Sequence, residues 1–132
     1  MASVARLNAA IANADAVLFA TPEYNASIPG QLKNAIDWVS RPVATNMLRN
    51  KPVLVVGAST GAFGAVWAQA ELRKVLAALG ARVLDLELPV PHAQTRFDED
   101  GLTDEGIRTS LAEAVEVLAA EVRNREGLQV VA

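Results

Sequence analysis

The chain has 132 residues, with 12 Lys or Arg against 15 Asp or Glu, a formal net charge of −3 and no cysteine. That length fits one domain or a piece of one, and the Ala, Val and Leu content can fill a small α/β core. The mildly acidic balance excludes a general nucleic-acid surface. The lack of cysteine excludes disulfides, thiolate chemistry and Cys-type zinc sites, and no apolar run nears the roughly 20 residues that cross a bilayer.

In chain order, Val4, Leu7 and Ile11 fall at helical spacing, which predicts a helix over about Ser3–Ala12. The run Asp15–Ala20 is short and mostly apolar, as in a parallel strand covered on both faces. The segment Thr21–Asn25 breaks it, and Pro29 opens a helix with Leu32, Ala35, Ile36 and Val39 on one stripe. Ser40-Arg41-Pro42 stops that helix. Pro52–Gly57 is a second buried strand, followed by a glycine-containing loop and a helix over about Ala65–Leu79, with Gly80 at its C′ position. Arg82–Leu86 is a third strand and Pro89–Leu102 a surface loop. Thr103 caps a last helix whose stripe is Ile107, Leu111, Val115, Leu118 and Val122, with Gly127 as its terminator. One helix followed by three strand–helix pairs predicts a parallel sheet with right-handed crossovers. Because the first helix follows no strand, the order also predicts that a strand–helix–strand segment is missing upstream, the other reading being a small domain completed by a partner. With no charged-then-apolar secretory pattern at the N-terminus, the chain reads as soluble and cytoplasmic.

In open parallel sheets ligands bind beyond the carboxyl ends of the strands. That rule selects three loops: Thr21–Pro29, Ser59–Ala65 and Pro89–Leu102. The first joins one aromatic, one amide and one carboxylate to a cluster of turn formers. It suits a flat hydrogen-bonding heterocycle, and it equally suits a strand-to-helix turn with Ser27 as helix cap. The second contains Gly61 and Gly64 after Gly57, but it is neither G-x-G-x-x-G nor a phosphate loop followed by Lys. By itself it reads as a tight turn. The lone His92 reads as loop packing rather than a metal ligand or general base. Ser59 has no nucleophile-elbow context, and Asp98-Glu99-Asp100 reads as a solvated turn rather than a cation site. No metal site is expected. Trp38 and Trp67 lie off the main apolar stripes, at a core edge or an interface.

The stretch Thr21-Pro22-Glu23-Tyr24-Asn25-Ala26-Ser27-Ile28-Pro29-Gly30 and its continuation to Pro42 resemble the flavin loop and helix of the NADPH-dependent FMN reductase family, which includes quinone, chromate and azo-dye reductases. Lys51-Pro52-Val53, the loop from Gly57 to Gly64, Leu88–Pro91 and Phe97–Gly101 resemble it too, so the likeness runs through essentially the whole chain. Where the family often has paired glycines, this chain has Gly64-Ala65. The resemblance implies a flavodoxin-like three-layer sandwich of strand order 2-1-3-4-5, of which the strands here are 3, 4 and 5. It implies FMN as cofactor and NADPH or NADH as co-substrate, with ping-pong hydride transfer through flavin N5 to flavin, quinone or similar small acceptors. Pro22, Glu23, Tyr24 and Asn25 would contact the isoalloxazine ring, largely by backbone, and Ser59, Thr60, Gly61 and Gly64 its other side or pyrimidine edge. No catalytic side chain is demanded. A homodimer or homotetramer through the two central helices is implied. Nothing in the sequence matches the family's Gly-Ser-x-Arg phosphate loop. Weakened FMN binding and little activity of this chain alone are therefore expected, the alternative function being a non-enzymatic remnant or interaction module.

Overall fold

A computed structural model describes the backbone of residues 2–131 and the side chains of residues 2–125. Helix α1 (Ala2–Asn13) precedes strand β1 (Val17–Thr21) and helix α2 (Gly30–Val39). Strand β2 (Pro52–Gly57), helix α3 (Val66–Ala78) and strand β3 (Arg82–Val83) follow. A short hairpin, β4 (Phe97–Asp98) and β5 (Gly101–Leu102), leads into helix α4 (Glu105–Val131). The three main strands form one parallel sheet in the order β1-β2-β3, with Val17 opposite Val53 and Thr21 opposite Gly57.

The sheet is sandwiched between two apolar layers. Val53 and Val55 point into a cluster with Ile11, Ile36, Val39, Leu72 and Leu76 from α1, α2 and α3, and with Leu48 from the segment between α2 and β2. Leu54 points the other way, into Leu88, Val90, Ala114 and Leu118, the last two from α4. Because neighbouring side chains of a strand face opposite ways, both layers meet on β2, the central strand, which is buried along almost its whole length. Each large aliphatic side chain wholly buried here contributes about 1.5–3 kcal/mol.

Several expectations are corrected. The third strand is two residues rather than five, extended only by the Leu84 N–H bond to the Val53 carbonyl at 3.0 Å. Strand β1 is not covered on both faces. Val17 and Phe19 pack on the first cluster, whereas Leu18 is 43% exposed, because α4 reaches β2 and leaves this edge strand open. Asp104, not Thr103, caps α4: its Oδ1 accepts the Ile107 N–H at 2.9 Å, while the Thr103 hydroxyl donates to the Arg96 carbonyl. On α4 it is Ala114 that enters the core, and Val115 is exposed. That helix also continues past Gly127, since a helical glycine is tolerated at modest cost. Gly80 (φ 87°) does terminate α3: its N–H bonds to the Ala77 carbonyl, and the Ala81 N–H to that of Leu76 at 3.1 Å.

Candidate functional site at the carboxyl edge of the sheet

The loop after β1 folds back on itself. Tyr24 and Ser27 exchange both backbone hydrogen bonds, at 2.9 and 3.1 Å, across Asn25 (φ 53°) and Ala26 (φ 63°). Two successive left-handed residues make the tight turn that usually closes a hairpin. Asn tolerates that conformation; at Ala26 it is strained. Tyr24 is thrust into solvent, 58% exposed, with Asn25 exposed beside it. Ser27 is therefore part of this turn and does not cap α2, whose N-cap is Pro29 without a side-chain bond.

The Glu23 side chain is engaged within the protein. Its Oε2 accepts the Ala68 N–H at 2.9 Å. Ala65, the N-cap of α3, sits at φ 62° with no side-chain cap of its own, so a carboxylate from another loop supplies it and complements the positive end of the helix.

The second and third loops interlock. The Ser59 N–H bonds to the Val90 carbonyl at 3.1 Å, the His92 N–H to that of Gly61 at 2.9 Å, and the Ala93 N–H to that of Ser59 at 2.9 Å. The Pro89–Leu102 segment is thus a buttress as much as a surface loop, with Val90 buried and a 3-10 turn at Ala93–Thr95. Its acidic tip is a turn closed by Asp98 Oδ1, which accepts the N–H groups of Asp100 and Gly101.

Three glycines near this loop have different reasons to be glycine. A Cβ on Gly57 would lie 2.6 Å from the Thr21 carbonyl oxygen, so that glycine serves strand packing. At Gly64 (φ +64°) it would lie 2.5 Å from the Val90 nitrogen, so that glycine serves the close approach of the buttress. At Gly61 the nearest atom would be Ser59 Oγ at 3.9 Å, leaving the outer face of the loop open. Thr60 is exposed beside it and Ser59 half-buried.

On the α4 side of the same edge lies a groove of about 460 Å³ with an almost wholly apolar lining. Thr21, Pro22, Gly57 and Ala58 form one wall, and Phe97, Leu102, Ile107 and Leu111 the other. Of the eight expected contact residues, Tyr24, Asn25, Thr60 and Gly61 are exposed at the edge, and Pro22 lines the groove. Glu23 and Gly64 are engaged internally. No Lys or Arg occurs in Thr21–Pro29 or Ser59–Ala65. The two loops offer an aromatic side chain and open backbone to a planar ring, and no Lys or Arg to a phosphate.

A parallel sheet sandwiched by helices, with its loops open at the carboxyl edge, defines a flavodoxin-like α/β protein. Residues 1–95 match the family described as NADPH-dependent FMN reductase, and the chain belongs to that family. It is 42% identical over 117 residues to a 2-hydroxy-1,4-benzoquinone reductase of a Burkholderia species, covering 87% of this chain and 64% of that protein. It is 42% identical over 127 residues to an NAD(P)H-dependent FMN reductase of Pseudomonas aeruginosa, covering 95% and 68%. Among solved structures, it superimposes with a TM-score of 0.80 at 38% identity on FerB, a flavoenzyme NAD(P)H:(acceptor) oxidoreductase from Paracoccus denitrificans, covering 94% of this chain and 69% of that one. The chain thus spans about two-thirds of the length of these relatives.

Gln69 has no place in the sequence reading, yet it is wholly buried at the base of the second loop. The signal was available: it lies three and seven residues before Leu72 and Leu76, a polar residue on the apolar stripe of α3.

Proposed function

We propose that this chain supplies the ring-binding part of an NAD(P)H-dependent FMN oxidoreductase acting on quinones, flavins or similar small acceptors. The observation that carries the reading is that the Tyr24–Asn25 turn and the loop with the open face at Gly61 follow the carboxyl ends of adjacent parallel strands, where Thr21 pairs with Gly57. Bound FMN would supply the hydride chemistry. The chain's own part is to present the backbone of Asn25 and Thr60 and the N–H of Gly61, which no internal bond engages, to the ring edge and to orient it. Tyr24 offers an aromatic face, and NAD(P)H and the acceptor would use the exposed side in alternation. None of this asks for a protein acid or base. Among the described residues no helix is long and apolar enough to cross a membrane. Exposed Trp38 on α2 and the exposed Phe63–Trp67 pair at α3, with ring centroids 4.8 Å apart, support self-association through those helices.

An interaction-module reading rests on the open β1 edge and the apolar groove, a surface suited to an added strand and helix. FMN titration followed by fluorescence quenching separates the two. Saturable quenching that is lost in Gly61→Val supports the flavin reading. No quenching at millimolar FMN overturns it.

A further inference from the structure

We infer that Gln69 is a positioning residue that sets the shape of the ligand-facing edge by holding three separate backbone segments to the first turn of α3. Its side chain has no solvent exposure. Nε2 donates to the carbonyls of Leu88 at 3.0 Å, Gly64 at 3.1 Å and Gly57 at 3.3 Å, and Oε1 accepts the Leu88 N–H at 3.2 Å. A primary amide has two N–H groups, so the three carbonyls share them.

The segments joined are the end of β2, the end of the glycine loop and the start of the buttress. At Leu88 the amide donates and accepts together, as a neighbouring strand residue would. Pairing with β2 has ended at the Leu84 N–H, four residues earlier in the chain, so Gln69 takes over where the sheet stops. The preceding residue on α3, Ala68, gives its N–H to Glu23 from the first loop. Two consecutive residues therefore anchor all three loops that the sheet presents at this edge. Leu88, held by Gln69, leads directly into the Val90–Ala93 stretch that bonds to Ser59 and Gly61. The position of Gly61, the open face, thus depends on an amide that is itself out of contact with solvent. Asparagine is one methylene shorter, glutamate would set a carboxylate against three carbonyls, and methionine keeps the length with no hydrogen bonds.

The ligand arm of the test rests on the flavin reading; the exchange arm does not. In the wild-type protein the Leu88 amide, although outside regular structure, should exchange hydrogen as slowly as the amides of β2. In Gln69→Met, exchange at Leu88, Val90, His92 and Ala93 should accelerate while β2 stays protected, and the Kd for FMN should rise about tenfold or more, the scale of one lost buried polar anchor. Leu72→Ala, a core deletion on the same helix that removes no hydrogen bond to these loops, is the comparator for simple destabilisation. It should leave the FMN Kd of the folded protein near the wild-type value. Equal FMN affinity in Gln69→Met and wild type, or a rise in Leu72→Ala as large as in Gln69→Met, overturns the inference. If the wild type shows no FMN quenching, the flavin reading falls and exchange alone decides. A fast-exchanging wild-type Leu88 amide then overturns the role of Gln69, even where Gln69→Met fails to fold, and a slow one upholds it.

Discussion

Gly61 and Gly64 stand three residues apart in one loop, and the same substitution should have opposite consequences at the two. At Gly64 an alanine must hold φ +64°, with its Cβ 2.5 Å from the Val90 nitrogen and 2.9 Å from Pro89. The left-handed conformation costs a residue with a Cβ roughly 1–2 kcal/mol, and forcing an extra carbon into packed surroundings roughly 1–3 kcal/mol. The overlap is with backbone, which cannot swing aside as a flexible side chain would. A net loss of about 2–5 kcal/mol follows, or roughly 7–18 °C in Tm for a chain of this length. At Gly61 the new Cβ meets nothing closer than 3.9 Å, so Gly61→Ala should stay within about 0.5 kcal/mol of wild type, as an open surface change does. Urea denaturation read by circular dichroism, with the slope unchanged, measures both. Equal stability of the two variants would refute the assignment of Gly64 to internal packing and Gly61 to an open face.

Glu23→Ala removes the cap of α3 and should cost about 1 kcal/mol, whereas Glu23→Gln, which keeps an acceptor oxygen, should cost less; thermal melts of the two check the order. The bond from the Ile107 N–H, and then Arg96, hold the Asp104 carboxyl below its ordinary pKa. Its stabilising effect is therefore complete above the unfolded-state pKa and is lost as pH falls through the lower folded value. Asp104→Ala should melt below wild type at neutral pH, and the gap should close in strong acid; a gap that persists there refutes this origin. For FMN, the two ring loops offer no cation, and each charge-assisted bond to a phosphate contributes about 1.5–3 kcal/mol. A site lacking three such bonds binds about three orders of magnitude or more weaker, so this 132-residue chain should bind FMN no tighter than micromolar. Sub-micromolar affinity would show that phosphate contacts exist elsewhere in the chain.

Local sequence signals determined a good deal of this protein. The apolar runs at Val17–Ala20 and Val53–Val56, alternating with helical stripes, specified parallel strands, because crossover helices between parallel strands leave that alternation in the chain. Gly80 ends α3 because the left-handed C′ position is a local backbone demand. The stretch from Thr21 to Pro42 marked the family because its residues form one continuous loop and helix. Only the tertiary structure decided matters that depend on partners distant in sequence. The apolar run at β1 reads as covered on both faces, but Leu18 is exposed because coverage depends on where α4 lands. Glu23 sits in the first loop, and that its carboxylate caps a helix through a residue 45 positions away is visible only in the folded chain. Gly61 and Gly64 look alike in sequence, and what lies 2.5 Å from one and 3.9 Å from the other distinguishes them. Gln69 became visible as an anchor only when Gly57, Gly64 and Leu88 were brought to one point, because a hydrogen-bonded amide depends on which carbonyls surround it and not on its neighbours along the chain.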